Sequence, residues 1–78
     1  MRERTLKLVV TFPSTTAAMA MEKHCKSGGA PGRLIPVPRE ITAGCGMAWM
    51  ARREDRPALE RVVGDHAVPV QGWYELLL

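Results

Sequence analysis

The side chain best placed to do chemistry in this chain is Cys45, in the run Gly44-Cys45-Gly46. A glycine on each side strips cover from the sulfur and permits backbone angles closed to other residues. If the neighbouring amides turn inward, they form a cradle that suits an anion such as a thiolate. The expectation is a reactive loop thiol, because loop positions more often carry chemistry than packing. A small buried side chain at a glycine-rich turn is the competing reading. Upstream, Arg39 could support Cys45 by guarding an anionic substrate, or could form a solvated pair with Glu40.

The other candidates read more plainly. Cys25 falls on an apolar helical stripe and is expected to pack, its alternative role being a resolving thiol that closes a disulfide with Cys45. His24 lies beside that stripe as a solvated or half-buried residue. His66 suits a helix C-terminus, where the dipole favours a cation, better than a general base. His24 and Cys25 are adjacent and the remaining ligand types are scattered, so no zinc spacing appears and no metal is expected. There is no phosphate-cradling glycine motif, and no cofactor is expected.

Seventy-eight residues with 46% apolar and 24% charged side chains suit one globular domain, 1–78, with a small core. The formal charge is +3. Only four aromatics accompany it, two Trp, one Tyr and one Phe, and none sits in a stacking motif. Nucleic-acid binding is therefore not expected. No leader-like or membrane-length apolar run is present, and two cysteines do not make a secreted disulfide framework. A reducing cytoplasm is the expectation, and it would keep Cys45 a thiol.

Six stretches must position that thiol. Leu6 to Phe12 is nearly continuously apolar and β-branched, which predicts a central strand. Ser14 is a good N-cap for a helix over Thr15 to Ser27, with Ala18, Met21 and Cys25 on one stripe and Gly28-Gly29 as the stop. Gly32 to Pro38 predicts a second strand. Pro36 and Pro38 would leave their missing N–H groups on the same side, which fits an edge. Met47 to Ala51 is a short third strand. Glu54-Asp55-Arg56-Pro57 opens a second helix whose buried face is Leu59, Val62, Val63 and His66. Val68 to Leu78 closes as a fourth strand with Pro69 at its start.

That order, β-α-β-β-α-β, predicts an α+β ferredoxin-like sandwich. Its four-stranded antiparallel sheet, ordered 4-1-3-2, carries two helices on one face and puts the proline-bearing strands at the edges. Tracing the chain brings the Cys45 loop to the end where Ser14 and Thr15 start the first helix, beside unpaired amides and a partial positive charge. The second helix runs toward the same rim, so His66 is expected near it.

The pattern Thr11-Phe12-Pro13-Ser14-Thr15 with Ala18 and Glu22-Lys23, then Leu34-Ile35-Pro36-Val37-Pro38-Arg39-Glu40-Ile41 and Gly44-Cys45-Gly46, resembles the small selenium/sulfur carrier protein-like family. The closing Gly72-Trp73-Tyr74-Glu75 resembles that family's last strand. Ala43 departs from the serine found in many relatives. The resemblance implies a cytoplasmic, non-enzymatic carrier whose Cys45 holds a persulfide or selenide. Its partners would be a cysteine desulfurase-type donor and a sulfur- or selenium-accepting enzyme. Two other readings stand beside it: an interaction or regulatory module pairing through edge strands as a homodimer, and a thiol redox protein using Cys45 and Cys25.

Overall fold

Leu8, Val9 and Val10 are all fully buried, because the strand they belong to is covered on both faces. The computed structural model describes residues 4–41 and 44–78, so Ala43 lies outside the described residues. Its elements run β1 (Leu6–Thr11), α1 (Thr15–Gly28), β2 (Arg33–Pro36), β3 (Met47–Arg52), a 3-10 turn (Arg53–Asp55), α2 (Arg56–His66) and β4 (Gly72–Leu77). The sheet is antiparallel with order β2-β3-β1-β4, the ferredoxin-like arrangement expected from the order of the elements.

The alternation of β1 divides the interior in two. Leu8 and Val10 face the helices and pack with Phe12, Met21, Trp49 and Leu59. Val9 faces the other way, into a smaller cluster with Ile41 and Ala48. On α1 the buried stripe is Ala17, Ala18, Met21 and Cys25. Ser14 Oγ accepts from Ala17 N at 3.2 Å, and Gly29 ends the helix in the left-handed region at φ 73°. On α2 only Leu59 is fully buried, Val62 and Val63 are half-buried, and His66 is exposed. The predicted face is present but fades toward the helix end.

Two of the proline-bearing boundaries shift. Val37 N donates to Gly46 O at 3.0 Å, one bond beyond β2. Alternate residues of an antiparallel ladder face its partner, so Pro36 faces the open edge and costs no ladder bond. Pro38 lies outside the strand, in a turn that Ile41 N closes onto Pro38 O at 2.9 Å. Likewise Pro69 is not part of β4. Val68 N still bonds back to Val63 O, and the chain joins β1 only when Gln71 N reaches Thr11 O.

The Pro38–Ile41 turn straps the helix-free face of the sheet. Ile41 is 7% exposed and covers Val9 and Ala48, while Ile35, Val37, Tyr74, Leu76 and Leu78 complete the rim of that cluster. Without this strap a second hydrophobic patch would face water. Replacing Ile41 with Ala should therefore lower unfolding free energy by about 2 kcal/mol or more, measured by urea denaturation. An effect of only a few tenths would show that the strap does not close the cluster.

Candidate functional site

Two successive carbonyls at the end of β1 collect the chain at the Cys45 rim. Thr11 O accepts from Gln71 N at 2.8 Å, and Phe12 O accepts from Cys45 N at 3.1 Å. Phe12 directly precedes Pro13 and the Ser14 cap, so Cys45 and the start of α1, with Ser14 and Thr15, share one end of the molecule.

The flanking glycines have separate reasons to be glycine. Gly44 takes φ 99°, and a Cβ there would stand 2.9 Å from Gln71 Oε1 and 3.1 Å from Phe12 O. Gly46 takes φ 93° with open space where a Cβ would go, so its constraint is the backbone angle alone. Cys45 between them is half-buried and lies against the cluster containing Phe12, Ala17 and Ala18. Its Sγ is 3.8 Å from Met47 O, a weak thiol contact. The cradle of inward amides expected from the glycines is not formed by Cys45 itself, whose N–H is spent on Phe12 O.

Arg39 does not join this site. It is exposed and lines a shallow cavity with Arg4, Glu40 and Leu77. Leu77 pairs with Leu6, at the end of β1 remote from Thr11. Packing of Ile41 against the helix-free face draws the preceding turn along the sheet and away from the rim.

Cys25 and Cys45 are both free. Cys25 is fully buried, roughly 15 Å of helix rise beyond Thr15. A disulfide needs Cα atoms within about 7 Å, so the two thiols are not poised to pair. Burial pushes the Cys25 thiol up to about 11. The packing role read from its stripe agrees with this position.

His66 also departs from expectation. Its ring stacks on His24, with centroids 3.8 Å apart and planes within 6°. His24 lies roughly 13 Å along α1 from Thr15, so the pair is well below the Cys45 rim. The segment after His66, through Gln71, makes the rest of the climb to Thr11. Among the described residues, no group of three or more His, Cys, Asp or Glu could hold a metal ion. No helix there is long and apolar enough to cross a membrane.

Sequence reasoning missed Gln71, which both pairs with β1 and occupies the space beside Gly44. Nothing local marks it, because its part depends on the register between β1 and β4.

The profile of the family described as Putative Se/S carrier protein-like matches residues 7–75, from within β1 to within β4. The chain belongs to that family. The matched span includes Gly44-Cys45-Gly46 and every helix. No curated protein and no solved structure matches this family member.

Two outcomes follow from the geometry. Iodoacetamide should modify Cys45 in the native protein and reach Cys25 only after denaturation, as read by peptide mass mapping; equal labelling of both would contradict the burial of Cys25. Desolvation, the nearby His66 ring and Lys23 hold the His24 imidazole below its ordinary 6.5. Between that lowered value and about 6.5 the unfolded chain binds more protons than the folded one. Stability should thus fall as pH drops from about 7 through that window, and thermal melts of His24→Gln should show a flatter pH dependence.

Proposed function

We propose that Cys45 accepts a sulfur or selenium atom from a donor enzyme and passes it to an acceptor, without catalysing a reaction of its own. The supporting observation is the way the residue is held. Its backbone is tied to Phe12 O between two glycines of positive φ, while its side chain remains partly open at the rim. A fixed backbone under a reachable sulfur suits delivery to and from another protein's active site.

The exchange balances without an outside oxidant. The Cys45 thiolate attacks the terminal sulfur of the donor's cysteine persulfide. The donor S–S bond breaks, its electron pair leaves on the donor thiolate, and a new S–S bond forms on Cys45. A second exchange of the same kind unloads the atom onto the acceptor. Selenium, softer and more polarisable, follows the same course. A cysteine desulfurase-type donor fits this step, and a reducing cytoplasm keeps Cys45 ready for it.

The surroundings favour carriage over catalysis. Both histidines are engaged with each other away from the rim. The three segments that build the rim, 12–16, 44–46 and 67–72, contain no Asp, Glu, Lys or Arg. The partner's contact at the thiol therefore rests on hydroxyls, amides and apolar side chains, and the arginines elsewhere can act only as long-range attraction.

Incubation with a desulfurase and isotopically labelled cysteine, followed by intact mass measurement, tests the reading. The expected result is one added sulfur on the wild-type chain and none on Cys45→Ala. A mass lower by two hydrogens would point to disulfide chemistry instead. No adduct on either protein would remove the carrier proposal.

A further inference from the structure

At the end of the sheet opposite the thiol, β1 and β3 place Lys7 directly across from Arg52. Like charges facing each other across strands are destabilising. Arg33, on β2, stands opposite Met50 and so lies diagonal to Arg52 on the same face. These three cations line an open groove of about 310 Å³, with Met50 and Pro31 contributing apolar surface and Asp55 a carboxylate.

The charges in the groove do not cancel. Asp55 is committed to Arg52, with Nε 3.2 Å from Oδ2. The Lys7 ammonium donates to the Thr5 hydroxyl, which is neutral. Among the described residues neither Lys7 nor Arg33 forms an ion pair. One wall is also fixed in place. Trp49 Nε1 donates to Pro31 O at 3.0 Å, and Gly32 takes φ 118° where a Cβ would collide with the indole.

We propose that this groove binds a small dianion carrying an apolar group, of the kind an aryl or alkyl phosphate monoester presents. Two uncompensated cations match its two charges. The Arg33 guanidinium can give a forked pair of N–H bonds to one edge of the phosphate, and Lys7 supplies a point charge. The apolar group lies against Met50 and Pro31. Binding relieves the cross-strand repulsion between Lys7 and Arg52 and so stabilises the fold. Lys7 and Phe12 are separated by roughly 17 Å of strand, which makes the groove independent of Cys45.

Phenyl phosphate titrated into the full chain at low salt, followed by NMR of the Arg Nε–H and Met methyl signals, tests this. The expected result is saturable shifts at Arg33 and Met50, weakening as sodium chloride is added. Affinity should fall about tenfold or more in Lys7→Gln/Arg33→Gln, while sulfur loading of Cys45 is unchanged. Arg33→Gln alone repeats the comparison at an exposed edge position where folding is not at stake. Shifts that rise without saturating, or an affinity equal in wild type and both variants, would overturn the proposal.

Discussion

The pair of carbonyls at Thr11 and Phe12 governs the end of the molecule that carries the thiol. They are the last acceptors of a strand buried on both faces, so they cannot drift with the surface. One receives Gln71 and starts the pairing with β4; the other receives Cys45 and ends the long connection from β2. Gly44 is required by the same junction, because Gln71 and Phe12 already fill the place of its side chain. The buried Thr11 hydroxyl faces Gly72 O at 3.5 Å, which adds a weak polar contact at that corner. The rim therefore inherits its rigidity from the core rather than from interactions of its own.

Covering the second sheet face shapes everything the connection does before it reaches Cys45. Val9 and Ala48 would be open to water if the chain ran straight from β2 to β3. The turn at Pro38 instead lays Ile41 over them. Cys45 packs on the helix side while Ile41 of the strap packs on the other, so the sheet lies between the strap and the thiol. Most of the basic side chains lie on the helices, the strap or the far end of the strands, which leaves the rim itself neutral. For the proposed carrier, long-range attraction and contact at the thiol would fall to different parts of the surface.

Features that depend on one element were legible in the sequence. The nearly continuous apolar run of β1 predicted a central strand, and Pro36 predicted an edge. Ser14 predicted a cap, and Cys25 a place on the buried stripe. What the sequence did not reveal depended on how two elements meet. Arg39 is near Cys45 along the chain, but the tuck of Ile41 carries it to the other end of the sheet. His66 ends a helix that runs toward the rim, yet its ring finds His24 before reaching it. The amide of Cys45 could have pointed at its own sulfur, and only the position of Phe12 O decides that it does not.

With its own N–H donated to Phe12 O, Cys45 contributes no amide of its own to an anion cradle of the kind that activates catalytic cysteines. The attacking strength of a thiol in exchange falls as its acidity rises, while its ability to leave from the loaded bond improves. A carrier has to be loaded by one enzyme and emptied by another through the same sulfur. A thiol fixed in position and completed by whatever amides and charges each partner brings would suit both halves of that proposed cycle. In the proposed transfers, the neutral, rigid rim would leave the chemistry of each step to the enzyme that performs it.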